Sequence, residues 1–76
     1  MKLSYDRNAN IAYLRFHEKH GTVTTIKISD EMNIDIAPDG TVYGIELLNA
    51  SKQLAEDHGS LVIEVAGRKQ KIALAA

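Results

Sequence analysis

Cysteine is absent from the 76 residues, which removes disulfides and thiolate metal sites together and fits a reducing compartment. Tryptophan is missing too, and the aromatics stop at one Phe and three Tyr, so stacking platforms for single-stranded bases are poorly supplied. Nor is there an excess of one charge. Nine basic and ten acidic residues give a net charge of −1, against the concentrated positive field that nucleic-acid phosphates require. No stretch approaches the ~18 continuous apolar residues of a membrane span, and no apolar run follows a basic start as in a signal peptide. The expectation is a soluble, cytoplasmic domain with no membrane and no nucleic-acid partner.

What is present is organised in short, β-rich segments. The length allows one domain, 1–76, and at this size only roughly 60% of the unfolded chain's surface is buried on folding. Small scaffolds without disulfides depend on a metal, on unusually good packing or on oligomerisation. Residues 3–6 alternate apolar and polar as a strand does, and 7–10 (Arg7, Asn8, Ala9, Asn10) are turn formers. Alternation resumes over 11–16, with Ala12, Leu14 and Phe16 on one face and Ile11 and Tyr13 on the other, so the first two segments read as a hairpin. A polar loop over 17–21 leads into a β-branched strand over 22–29 and, after Asp30 and Glu31, into a half-buried strand over 32–36.

The turn at Pro38, Asp39 and Gly40 can be tested by register. A three-residue loop pairs Ile36 with Val42 but sets Asp35 beside Tyr43 and Ile45 against Asn33. A two- or four-residue loop pairs Ile36 with Tyr43, Ile34 with Ile45 and Met32 with Leu47, gathering six apolar side chains on one face. Proline disfavours the two-residue hairpin, so the four-residue loop is expected, with Gly44 opposite Asp35. Asn49 is expected to cap a helix over 50–57 through its side-chain oxygen, with Ala50 and Leu54 inward and Gly59 as the stop. A two-residue Gly67–Arg68 turn would close a hairpin over 61–75, pairing Glu64 with Lys71, Ile63 with Ile72 and Leu61 with Leu74. The fold class is therefore α+β: an antiparallel β-meander with one short α-helix after the fifth strand and a C-terminal β-hairpin.

The run Gly44-Ile45-Glu46-Leu47-Leu48-Asn49-Ala50-Ser51, preceded by Asp39-Gly40, resembles the domain of unknown function 2283 family. Tyr5-Asp6 and Ile11-Ala12-Tyr13 match that family's opening elements in order, and the resemblance covers roughly residues 3–54. Leu47 stands where the family often has Ile, Asn49 where it usually has Asp, and Asn10 where an acid is common. The resemblance implies a small β-rich fold and no assigned activity. Some members are associated with toxin–antitoxin-like gene pairs, which implies a protein partner encoded nearby.

Candidate chemistry is thin. His17 and His20 flank Glu18-Lys19 at i, i+3 in a loop, whereas the zinc-protease pattern needs i, i+4 on a helix, so no metal and no cofactor are expected. His58 reads as a cation near a helix C-terminus. Ser51 lacks a nucleophile elbow, and Arg68-Lys69-Gln70-Lys71 reads as a solvated hairpin tip. On the expected register Asp35 and Glu46 share a sheet face near Gly44, with Glu46 opposite Asn33, and only a desolvated cleft that splits their pKa values would make them an acid–base pair. The polar side of a half-exposed sheet is the preferred reading. The leading function is a non-enzymatic, self-associating protein-interaction module, antitoxin-like in the sense of neutralising a partner. The alternative is a small enzyme or ligand-binding protein using Asp35, Glu46 and Tyr13.

A homodimer is expected on burial grounds. With Met32, Ile34, Ile36, Tyr43, Ile45 and Leu47 on one face, the other still carries Val42 and either Ile11 and Tyr13 or Ala12, Leu14 and Phe16, more than one short helix covers. The competing arrangement folds the closing hairpin over that second face within one chain.

Overall fold

A computed structural model describes residues 1–18 and 20–73, without the side chains of Asp57 and His58. Among the described residues there are seven strands: β1 (Lys2–Asp6), β2 (Ile11–Arg15), β3 (Thr24–Ser29), β4 (Met32–Ile36), β5 (Val42–Leu48), β6 (Ser60–Val65) and β7 (Arg68–Ala73). Helix α1 (Ala50–Gln53) and a 3-10 turn (Glu56–Gly59) lie between β5 and β6. The antiparallel sheet, short helix and closing hairpin match the expected elements, with more β structure than an α+β label suggests. The meander extends only over β3, β4 and β5. The five-stranded sheet runs β1-β2-β5-β4-β3, so the chain crosses from β2 to the far edge and β5 occupies the centre.

Both registers weighed for the β4–β5 turn are present, one after the other. The loop has three residues: Ala37 donates to Thr41 O at 2.8 Å, and Gly40 donates to Ala37 O at 2.9 Å. That turn pairs Ile36 with Val42, which corrects the expected four-residue loop and the Ile36–Tyr43 pair. The register then shifts, and Asp35 meets Gly44, Asn33 meets Glu46, Ile34 meets Ile45 and Met32 meets Leu47, as expected. A bulge that inserts one extra residue into β5 reconciles Pro38 at a type I corner with the apolar pairs beyond it.

The extra residue does structural work. The Tyr43 carbonyl accepts from Phe16 N–H at 2.8 Å and His17 N–H at 3.3 Å, and its hydroxyl donates to His20 O at 3.2 Å. The His17 ring meets the Tyr43 ring edge-on at 6.5 Å. The connection from β2 to β3 is thus fastened to the bulge.

Pairing of β2 with β5 sets Ala12 against Leu47 and Leu14 against Ile45. Alternation then places Leu3, Tyr5, Ala12, Leu14, Ile45, Leu47, Met32, Ile34, Ile36 and Ile26 on one face. The opposite face carries Ser4, Tyr13, Glu46, Asn33, Asp35 and Thr25, with Ile11 and Leu48 paired at one end. Ile11 and Tyr13 are thus the set that falls on the second face, while Ala12 and Leu14 join the first; apart from Ile11 and Leu48 the second face is polar, which corrects the premise of two comparably apolar faces. Burial of the apolar face is incomplete. Only Ala12, Tyr43 and Ala50 are buried hydrophobics, and no large side chain is fully buried among the described residues.

The helix is shorter than expected and is capped differently. It ends at Gln53, and Leu54 with φ −101° and ψ 20° leads into the 3-10 turn in place of a continuous helix to 57. Asn49 adopts the left-handed conformation (φ 52°) and makes no side-chain cap. Asn10 takes that role from the β1–β2 turn: its carbonyl accepts from Ala50 N–H at 3.0 Å and its Oδ1 from Ser51 N–H at 2.8 Å. Its Nδ2 donates to Ser51 Oγ and Asn49 Oδ1. At the helix's far end, Gln53 Nε2 donates to the Glu31 and Leu48 carbonyls.

The closing hairpin turns at Ala66–Gly67 and not at Gly67–Arg68. Both residues have positive φ, 51° and 79°, the type I′ geometry whose twist suits a two-residue hairpin. Leu61 consequently pairs with Ile72, Ile63 with Gln70 and Glu64 with Lys69, correcting the expected Ile63–Ile72 and Glu64–Lys71 pairs. The expected Leu61–Leu74 pair involves a residue outside the described range. β6 packs against β7 and the 3-10 turn, and neither strand has a substantial contact with the five-stranded sheet.

Candidate functional site

The polar sheet face holds the sequence-predicted site residues, and its geometry follows from one glycine. Tyr13 on β2 and Asp35 on β4 are separated by the whole width of β5. The strand position between them is Gly44, paired with Asp35 on one side and Arg15 on the other. A Cβ at residue 44 would lie 2.5 Å from Tyr13 Oη, 2.6 Å from Cζ and 2.7 Å from the Leu14 carbonyl. The missing side chain is therefore the slot through which the phenol crosses β5. Tyr13 Oη then donates to Asp35 Oδ2 at 2.7 Å, and Thr25 Oγ1 on β3 donates to Oδ1 at 2.6 Å. Asp35 is 8% exposed, the only buried charged-type side chain among the described residues. Four adjacent strands are tied by this pair of hydrogen bonds and the slot beneath them.

Glu46 stands on the same face with a different partner, accepting from Asn33 Nδ2 at 2.9 Å. Asp35 and Glu46 are thus each held by neighbouring hydroxyl or amide donors. A shallow depression on this face is lined by Lys2, Ser4, Tyr13, Arg15 and Glu18, with Arg15 and Glu18 paired at 3.1 Å. Neither Asp35 nor Glu46 lines it. The structure brings Tyr13 and Asp35 together and leaves Glu46 bonded across the strand pair to Asn33.

The remaining candidates have structural partners. Among the described residues no three His, Asp or Glu side chains converge as a metal site. His17 is taken up with Tyr43, and Ser51 Oγ accepts from Asn10. Lys69 in the basic tip lies 3.8 Å from Glu64 across the hairpin, and both are largely exposed. The side chain of His58 is outside the described residues. At the β4–β5 turn, the Thr41 N–H and then its hydroxyl hold the Asp39 carboxyl below its ordinary range. Sequence reasoning missed Gly44 as a slot and Thr25 as a partner of Asp35. The first had a visible signal, since an isolated strand glycine marks a bulge or a close approach.

These features define a small antiparallel domain of one five-stranded sheet and a separate two-stranded hairpin, the larger sheet having one hydrogen-bonded, mainly polar face and one incompletely covered apolar face. The chain belongs to the family described as Protein of unknown function (DUF2283), whose model matches residues 2–51, from β1 into the start of α1. No curated protein and no solved structure matches the chain significantly. No helix among the described residues is long and apolar enough to cross a membrane.

Proposed function

We propose that this chain is a self-associating, non-enzymatic protein-interaction module whose contact surface is the apolar face of the five-stranded sheet. The observation that carries this is the exposed area. A globular monomer of 8.4 kDa exposes about 4,600 Å², whereas this chain exposes 5662 Å². The difference, about 1,000 Å², is close to the roughly 800 Å² that each partner contributes to a standard stable interface. The radius of gyration points the same way, 13.7 Å against about 11 Å expected for 76 residues. The reading is a homodimer, and an antitoxin-like contact with a protein encoded nearby would draw on the same face. Sedimentation at micromolar concentration tests it. The expected mass is two chains, falling on dilution, and Ile26→Asp, at the rim of the apolar face and 43% exposed, is expected to weaken association without unfolding the chain. A mass of one chain at every concentration overturns the reading.

The second reading, a small enzyme or ligand-binding protein using Asp35, Glu46 and Tyr13, is favoured by the burial of Asp35. Against it, both Asp35 oxygens already accept from hydroxyls of this chain, as a structural carboxylate does. Amide shifts from a small-molecule screen clustering at Tyr13, Asp35 and Glu46 would reverse the order.

A further inference from the structure

The closing hairpin is exposed over both its strands except the first two residues of β6, and its own fold leaves that exposure unexplained. An isolated two-stranded hairpin is marginally stable in water. Here β6 and β7 carry Leu61, Ile63, Val65 and Ile72 on one face, with Gln70 opposite Ile63 and Arg68 opposite Val65 at the turn end, and Ile63, Val65 and Ile72 are 41%, 69% and 41% exposed. Their other face carries the Glu64–Lys69 ion pair and Lys71 opposite Val62. The hairpin is therefore more apolar on one side than on the other, and among the described residues the five-stranded sheet makes no substantial contact with it.

We infer that this hairpin is an exchanged arm: it lies across the apolar sheet face of a second copy of the same chain, which returns its own. The inference rests on the proposed self-association and names what fills the contact surface. Three observations favour a second copy over a fold-back. Between Gln53 and Ser60 only six residues intervene, and four of them form the 3-10 turn, so little slack remains for reversal onto the parent sheet. Short connections of this kind are where exchange between copies arises. The excess area of about 1,000 Å² exceeds the roughly 800 Å² that one partner gives to a standard interface, enough for a chain that contributes both an arm and a receiving face. Finally, the exchange is reciprocal, so it closes a two-fold pair and leaves neither arm nor face open.

The absence of cysteine makes the test direct. Full-length Ile63→Cys and Ile34→Cys proteins, one carrying a heavy-isotope label, are refolded together and treated with a short bis-maleimide. Each protein has one thiol, so any bond between hairpin and sheet positions joins two chains. The expected result is a dimer by sedimentation, with the labelled and unlabelled variants linked to each other. Glu64→Cys, on the hairpin's opposite face, is expected to give little of that product. Ile63→Asp, at an already exposed position, is expected to weaken the dimer by about 30-fold or more, as loss of an interface hot spot does. A dimer in which Ile34→Cys links only to its own kind, and which tolerates Ile63→Asp, overturns the exchanged arm but keeps sheet-to-sheet association. A single-chain mass overturns both.

Discussion

Gly44→Ala is a one-methyl change whose outcome is set by the slot beneath Tyr13. The new Cβ would sit 2.5 Å from Tyr13 Oη and 2.7 Å from the Leu14 carbonyl, each well inside contact distance. The phenol tip is the softer of the two obstacles. Lifting it by about 1 Å takes the 2.7 Å bond to Asp35 beyond hydrogen-bond range. Losing a hydrogen bond to a carboxylate costs about 1.5–3 kcal/mol, and the residual overpacking against β2 costs about 1–3 kcal/mol more. Restricting the unfolded chain returns only about 0.4–1 kcal/mol. The expected net loss is roughly 2–5 kcal/mol, from a total of about 4–11 kcal/mol for a chain of this length.

Urea denaturation followed by circular dichroism, at fixed protomer concentration, reads this loss directly. Tyr13→Phe supplies the mechanism. Alone it is expected to cost about 1.5–3 kcal/mol, because it deletes only the hydroxyl that reaches Asp35. In the Gly44→Ala background it should cost almost nothing, the bond having already been broken, so the two changes couple. Gly44→Ala within about 0.5 kcal/mol of the parent would refute the slot. So would a Tyr13→Phe cost that is the same in both backgrounds.

Three further outcomes are expected. Asn10→Gly and Asn49→Gly both preserve a left-handed backbone, so their difference isolates the side chains: about 1–2 kcal/mol lost at 10, where bonds to Ser51, Asn49 and Tyr5 go together, and under about 0.5 kcal/mol at 49, by urea denaturation. Ala66→Asn, at φ 51° in a type I′ turn, is expected to raise stability by about 0.5–1 kcal/mol in the same assay, and a loss would contradict the turn assignment. Asp39 should titrate below its ordinary value in a carbon-detected NMR titration, and Thr41→Ala should narrow that depression without abolishing it, because the backbone N–H is the larger cause. A depressed folded-state pKa means the Asp39 contribution is fully present above the ordinary carboxylate pKa and is lost as pH falls through the lowered one.

What the sequence disclosed was mostly what alternation can carry. The Met32–Leu47, Ile34–Ile45 and Asp35–Gly44 pairs were legible because a one-residue slip would have sent apolar groups to the polar face. The bulge was not legible: it lets a three-residue loop coexist with the register that excludes one. The closing hairpin shows the limit of periodicity most plainly. Its observed register differs from the expected one by two residues, which leaves every side chain on its original face, so only turn geometry could decide. Asn10 capping a helix through Ser51, 41 residues away, and β2 lying beside β5, are long-range facts that no local pattern encodes. Asp35 and Glu46 were placed on one face from alternation, but the side of the sheet taken by Tyr13 and its contact with Asp35 needed both the β2–β5 adjacency and the Gly44 slot.

The two faces of the sheet depend on each other through register. The polar face holds Asp35 by hydroxyls from β2 and β3, and those bonds form only when β2, β5, β4 and β3 are aligned as they are. A one-residue slip of β4 would break both and turn Asn33 and Asp35 toward the face carrying Leu14 and Ile45. A carboxylate there would stand in the apolar surface proposed to meet the second copy, where an unpaired charge is strongly unfavourable. The Tyr13–Asp35–Thr25 bonds thus do more than stabilise the side on which they lie. By fixing the alignment of four strands, they keep the opposite face free of charge, which is what any dry contact through it requires.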